Sequence, residues 1–416
     1  MTEIQLLSHQ RKAVENFKGY SYLAWETGTG KTLAALKIAE NFKNVLIICP
    51  SSVKTVWLNE IEKWDIKLKN FKIVSYDYFR MHTDKILREA FWNFVIFDEA
   101  HKLKNVKAKI TKLVMKIFPK TYKVMLSGTP FEKHEDYYTQ LRILRPDHPF
   151  SKLSFKDYKW IFFAIDKRFN YIIDFKSRRI KEKFFEEYVS PYVYFVKRSD
   201  VVELPSLIED VKYFSGDYLI DDDEDEELEE EWRFGGEEEN ILKVFMYRYK
   251  KSALLKDKID YVIDFIEDNP QTVVFSYFLS PLQYITRKVG RNKVYFITGQ
   301  DKKDLELALR YADKPILATY CISEGINLTH YKNIIFLCLP LAWRTYEQAL
   351  SRVWRYGQSD KVYLQVLVDK NGIDERVLEI LRQKKNVLDE VKLRTRLHGE
   401  RACLQGMTTQ ASIQCI

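Results

Sequence analysis

Short, unbroken apolar runs alternate with amphipathic stretches along this chain. Residues 45–50 (VLIICP), 94–97 (FVIF) and 124–126 (VML) are rich in β-branched and aromatic side chains, lack polar alternation and are bounded by turn or polar residues. That is the pattern of strands buried on both faces of a parallel sheet. Residues 20–23 form a further strand-like run. Between these runs, 31–42 is a stretch of helix formers without glycine or proline, and Val53, Val56, Trp57, Ile61 and Trp64 recur at helical spacing. The alternation returns further on, with strand-like runs at 272–275, 294–297, 316–319, 334–339 and 362–368. The pattern predicts an α/β chain of two doubly wound parallel-sheet lobes. The expected divisions are a first lobe over 1–205 with a helical insertion at about 135–200, a linker over 206–240, a second lobe over 241–390 and a tail over 391–416.

Length and charge narrow the class. The 416 residues suffice for two to three domains with cores of their own. No apolar run of about 18 residues occurs, and the Thr2-Glu3 start is not that of a secretory signal, so the expectation is a soluble, intracellular protein. The cysteines, Cys49, Cys321, Cys338, Cys403 and Cys415, include no Cys-x-x-Cys pair, and three lie in apolar runs. They read as buried thiols and not as a zinc site. The formal charge is +8, but residues 217–239 carry fourteen acids against Arg233 alone, which leaves the remainder at +21. So basic a body expects a polyanion, against the plainer reading of a lysine-rich solvated surface. The acidic stretch reads as a solvated loop, or as a competitor for the site that holds the polyanion. Residues 399–416 have no periodicity and read as a frayed or non-native tail.

Candidate chemistry follows from what stands at the ends of the apolar runs. The strand-like 20–23 feeds a loop, Trp25-Glu26-Thr27-Gly28-Thr29-Gly30-Lys31-Thr32, whose glycines allow backbone N–H groups to curl around phosphate oxygens at a helix start. Lys31 would reach the β- and γ-phosphates of a nucleotide such as ATP, and Thr32 would hold Mg²⁺. The strict Gly-x-x-x-x-Gly-Lys-Thr pattern is broken by Trp25 at its first glycine. Asp98 and Glu99 end the run 94–97 and place two carboxylates at the same edge of the sheet; Asp98 is the expected Mg²⁺ partner and Glu99 the residue that orients or deprotonates water. The competing reading makes them an N-cap and a first-turn acid of the next helix.

In fixed order the chain also holds DEAHKLKN (98–105), Ser127-Gly128-Thr129-Pro130, Phe275-Ser276-Tyr277, Glu324-Gly325-Ile326-Asn327-Leu328 and Gln348 through Arg352, then Arg355 and Gln358. With VKRSDVVELPSL (196–207) and the glycine loop, the set resembles the superfamily 2 helicases, and within them the Swi/Snf-like branch, over most of residues 6–382. Departures are Trp25, Thr27, Thr29 and Lys133. The resemblance implies two RecA-like lobes. It implies that Gln10, Thr27, Gly28, Thr29, Gly30, Lys31 and Thr32 bind ATP together with Gly325 and Asn327, and that Arg352 and Arg355, three apart and so on one helix face, supply positive charge to the γ-phosphate when the lobes close. His101, Thr129 and Gln348 would couple nucleotide to DNA. Ser52, Lys54, Ser75, Tyr76 and Lys104 on the first lobe, and Ser276, Tyr277 and Thr319 on the second, would contact DNA phosphates without regard to sequence; Trp343 would lie near DNA or in a core. Short loops resemble compact phage-encoded members. The implied activity is an ATP-dependent double-stranded-DNA translocase acting on forks or four-way junctions, with an RNA helicase and a remodeller of a DNA-bound protein as rivals.

Overall fold

The computed structural model describes residues 5–119, 121–166, 171–201, 203–219, 238–320 and 326–383. They form two compact units that divide between Glu203 and Leu204. The first is built on a six-stranded sheet in the order β3-β2-β4-β5-β1-β8: β1 is Tyr20–Trp25, β2 Asn44–Cys49, β3 Asn70–Ser75, β4 Phe94–Asp98, β5 Tyr122–Leu126 and β8 Val193–Val196. All its neighbours pair in parallel. Successive residues leave for opposite cores. Leu46, Ile48, Val95, Phe97 and Met125 enter one cluster, while Val45, Ile47, Phe94, Ile96 and Val124 enter the other. A strand apolar on both faces needs helices on both, which explains the unbroken apolar runs.

The helices on those faces are α1 (Ser8–Glu15), α2 (Lys31–Ala39), α3 (Lys54–Lys63), α4 (Tyr76–Met81), α5 (Thr83–Glu89), α6 (Lys109–Ile117) and α7 (His134–Leu144). Beyond α7 the expected helical insertion is only partly helical. It holds α8 (Phe155–Phe162), an antiparallel hairpin of β6 (Phe163–Asp166) and β7 (Tyr171–Phe175), and α9 (Arg178–Lys183) running into a π-helical turn, Phe184–Val189. Aromatic packing decides this. Phe150, Tyr158, Phe162, Phe163, Phe175 and Phe184 meet in one buried cluster that a hairpin can close. The segment then returns as β8, which pairs with β1.

The second unit carries a sheet in the order β11-β12-β10-β13-β14-β9, again wholly parallel: β9 is Leu207–Phe214, β10 Thr272–Ser276, β11 Tyr295–Ile297, β12 Ile316–Thr319, β13 Asn333–Phe336 and β14 Val362–Asp369. β9 corrects the expected linker over 206–240, since its eight residues pair with β14 along their length. As an edge strand it is half exposed, so Glu209, Asp210 and Lys212 interrupt its apolar positions and conceal it in the sequence. Residues 220–237, most of the acidic stretch, and the tail beyond 383 lie outside the described residues. The run 334–339 is strand only to Phe336; Leu337 to Leu339 stay buried as the chain turns toward Pro340. Among the described residues no helix is long and apolar enough to cross a membrane. Cys49 and Cys338 are buried free thiols, and burial pushes each up to about 12; Cys321, Cys403 and Cys415 fall outside the described residues.

Candidate nucleotide and nucleic-acid sites

The strand order sets β4, β5 and β1 side by side, and parallel strands end at the same edge. The loops that follow them therefore converge. After β1, Gly28 and Gly30 take φ of 87° and 77°, a left-handed conformation that favours glycine, and Gly30 caps the start of α2. The Thr29 hydroxyl donates to the Glu26 carbonyl at 2.8 Å, and Lys31 Nζ donates to the carbonyls of Trp25 (2.7 Å) and Glu26 (3.1 Å). Thr32 follows in the first turn of α2, which holds no acidic residue. This is a helix start ready for an anion, with its lysine folded back over the loop.

Gln10 stands against that loop. A Cβ on Gly30 would collide with Gln10 Nε2, which donates to the Gly30 carbonyl at 3.2 Å, while Oε1 accepts from the Leu7 N–H. Its neighbour His9, which the sequence reading passed over, is buried and has Nε2 2.8 Å from the Thr29 carbonyl. The adjacent Gln10 in the same segment was the only available signal. Trp25, where the strict pattern has glycine, is fully buried and packs edge-on against His9 (4.8 Å) and Tyr194 (5.5 Å). It is a core residue that props the loop from below.

After β4, Glu99 takes φ of 51°, and the short 3₁₀ turn Ala100–Leu103 that follows receives no side-chain cap. The capping reading of the two acids therefore fails. Asp98 Oδ2 accepts from Trp57 Nε1 (2.8 Å) and Oδ1 from the Glu99 N–H (3.0 Å). Burial, and then the Glu99 charge, push the Asp98 carboxyl up to about 7, against the pull of Trp57 and Lys31. Glu99 Oε2 lies 3.1 Å from His101 Nδ1, and His101 Nδ1 lies 3.2 Å from Ser127 Oγ, which accepts from the Thr129 N–H. Gly128 stands so close to Thr27 Oγ1 that a Cβ would reach 3.1 Å. The loops after β1, β4 and β5 thus form one polar cluster containing Thr27, Lys31, Asp98, Glu99, His101 and Thr129.

The expected DNA contacts divide. Ser52 and Lys54, just past β2, are exposed. Ser75 accepts from the Tyr78 N–H as the N-cap of α4, and Tyr76 is buried with its hydroxyl donating to the Asp98 carbonyl at 2.8 Å. That corrects Tyr76, whose ring belongs to the core and whose oxygen braces the acidic site. Lys104 pairs with Glu132 and ties the Asp-Glu segment to the one after Pro130. In the second unit Ser276 is likewise corrected: it is fully buried, donating to the Phe278 carbonyl (2.8 Å) and accepting from the Phe278 N–H (3.2 Å) to shape its own turn. Tyr277 is half exposed, and Thr319 ends β12 on the same sheet edge. Trp343 packs on the core and stacks on Tyr346 at 5.2 Å.

Arg352 and Arg355 do not share a helix face, because the helix Trp343–Val353 ends before Arg355. They meet by another route, each Nη1 reaching the Ile326 carbonyl, at 3.2 and 3.4 Å. The Leu328 N–H in turn donates to the Arg352 carbonyl at 2.9 Å. Asn327, between these two residues, is exposed; Gly325 lies outside the described residues. Gln348 is buried within the helix, and Gln358 bonds the Tyr331 carbonyl through Nε2 and the Asp360 N–H through Oε1.

Comparison with known proteins finds one family match within each unit. Residues 65–168 match the SNF2-related domain, and residues 257–357 match the helicase conserved C-terminal domain. The chain is 24% identical over 453 aligned positions to an uncharacterized ATP-dependent helicase, YqhH, of Bacillus subtilis, covering 92% of this chain and 79% of that protein. It is 23% identical to the human DNA annealing helicase and endonuclease ZRANB3, over 89% of this chain and 38% of that protein. A Sulfolobus solfataricus SWI2/SNF2 ATPase core solved in complex with dsDNA is similar at 21% identity and a TM-score of 0.44, over 96% of each chain.

Proposed function

The chain is a Swi/Snf-like superfamily 2 helicase, and from that premise we propose that it hydrolyses ATP to move along double-stranded DNA. The observation that supports this most is the convergence of three loops: the glycine loop with Lys31, the Asp98-Glu99 pair, and residues 127–130 linked to Glu99 through His101. Lys31 then binds phosphate oxygens, and Glu99, held by His101, orients and deprotonates the attacking water. Asp98 and Thr32 are the residues that would hold Mg²⁺. The fit rests on Asp98 and Glu99, two adjoining carboxylates whose mutual repulsion a divalent cation relieves. A divalent cation held there would neutralise charge on the phosphate oxygens. Arg352 and Arg355 are the proposed sources of further positive charge from the second unit.

The favoured substrate is branched DNA. At a fork or four-way junction each pair broken ahead is replaced by one re-formed behind, so stepping along duplex moves the branch without net loss of pairing. The name of the ZRANB3 relative, an annealing helicase, agrees with that economy. Ser52, Lys54, Tyr277 and Thr319 are the proposed phosphate contacts, hydroxyls and a lysine suited to backbone recognition. The deciding experiment is the ATPase rate of wild type and Glu99→Gln with single-stranded, duplex and branched DNA and with RNA. Stimulation by duplex and branched DNA, absent in Glu99→Gln, supports the reading; stimulation by RNA alone overturns it.

A further inference from the structure

Tyr22 lies mid-strand in β1 with no exposed surface, and a buried phenol needs a hydrogen-bond partner. Its hydroxyl donates to Gln140 Oε1 on α7 at 2.6 Å. Gln140 is itself fully buried, and the other end of its amide, Nε2, donates to the Pro130 carbonyl at 2.6 Å. Pro130 closes the 127–130 loop, whose Ser127 hydroxyl meets His101, the partner of Glu99. Burial, followed by the charges of Glu99 and Asp136, holds the Tyr22 hydroxyl well above the ordinary phenol range, so it stays a donor.

The loop is therefore gripped from two sides. His101 holds its beginning on the side of Glu99, and Gln140 holds its end on the side of α7. The first turn of α7 adds a second grip, since Asp136 Oδ2 accepts from the N–H groups of Glu132 (2.9 Å) and Lys133 (3.1 Å). The Gln140 amide, fully buried and hydrogen-bonded at both ends, ties α7 to the Pro130 carbonyl and to Tyr22.

We propose that Tyr22 and Gln140 are positioning residues that fix residues 127–130 relative to Glu99 and His101 and so set the DNA-stimulated rate of hydrolysis. This rests on the proposal of a DNA-stimulated ATPase. Neither side chain belongs to the glycine loop or the Asp98-Glu99 pair; Gln140 acts through the Pro130 carbonyl, and Tyr22 acts through Gln140 and through its side-chain hydrogen bond with Ser127. The relay also gives each of these two buried polar groups a hydrogen-bond partner, which burial requires.

The test measures KM for ATP, kcat with and without duplex DNA, and the melting temperature, for wild type, Tyr22→Phe, Gln140→Leu and the double variant. Tyr22→Phe removes one oxygen and keeps the ring; the double variant leaves neither side chain with an unpaired polar end, which keeps the test open if one single variant fails to fold. The expected result is a fall of about fivefold or more in the ratio of DNA-stimulated to basal kcat, with KM for ATP unchanged and the double variant no worse than Gln140→Leu. A lowered melting temperature with the ratio intact would make the pair structural only and overturn the inference. Absence of stimulation in the wild type would instead overturn the DNA-dependent reading beneath it.

Discussion

At the residue scale, Lys31 and Glu99 differ in what each removes. Lys31→Ala takes away the main side-chain charge partner of a triphosphate, so nucleotide affinity falls with turnover. Glu99→Gln preserves size and leaves Asp98 in place, so ATP still binds while hydrolysis falls by about 10²-fold or more; equilibrium binding of a fluorescent ATP analogue beside steady-state turnover separates the two. Lys123 carries a prediction about stability. Its ammonium is buried in β5 above the Tyr20 ring, with no hydrogen-bond partner among the described residues, and burial lowers it from 10.5 to about 8. Below pH 8 both states are charged and folding bears the desolvation. Between pH 8 and 10.5 the unfolded chain holds the proton that the folded chain releases, so this contribution to stability rises with pH. Lys123→Met is expected to stabilise the fold at pH 7 by on the order of 1–3 kcal/mol. Denaturant unfolding of both proteins at pH 7 and pH 10 should show that gain shrinking as pH rises, and a pH-independent gap would count against a buried ammonium.

At the scale of elements, the glycine loop is shaped by α1 as much as by its own residues. Gly30→Ala drives a methyl group into Gln10 Nε2 on a backbone of positive φ, so the loop must shift or Gln10 must leave it. ATP affinity should fall at least about tenfold while the fold persists, because the clash involves one side chain at a surface loop; retained affinity would mean that α1 does not set the loop. How legible the elements were depended on their surroundings. β2, β4 and β5 could be read because two-sided burial leaves unbroken apolar runs, and β1 because its strand-like run leads into the glycine loop. β9 and the β6-β7 hairpin could not, since an edge strand shows mixed polarity and an aromatic-rich segment suits helix and strand alike. Arg352 and Arg355 were paired for the wrong reason: helical spacing predicts a shared face, but the structure joins them through the Ile326 carbonyl after the helix has ended.

At the scale of the whole molecule, charge and substrate are the open variables. Residues 221–239 hold thirteen of the acids, opposite in sign to the remaining chain. Deleting them should tighten DNA binding at about 50 mM salt, with the difference shrinking as salt screens it; affinity unchanged at low salt would leave the segment a spacer. The substrate proposal predicts stronger ATP-driven remodelling of a fork or four-way junction than of a blunt duplex of equal length, lost in Arg355→Ala. Gel assays on matched substrates measure this, and efficient unwinding of the blunt duplex would contradict it.

The sequence by itself determined the α/β class and the family resemblance, and it supplied the proposal of phosphate binding, because those reside in short contiguous runs: a glycine loop before a helix, two carboxylates ending an apolar strand, a fixed order of segments. Tertiary structure alone decided which polar residues face one another across the fold. Tyr76 and Ser276 carry hydroxyls suited to a phosphate backbone and yet are buried. His9, Tyr22 and Gln140 look like ordinary core or surface residues until strand order brings α1, β1 and α7 together. The pairing of residues 118 apart, as Tyr22 with Gln140, depends on strand order and register, and no local pattern encodes those.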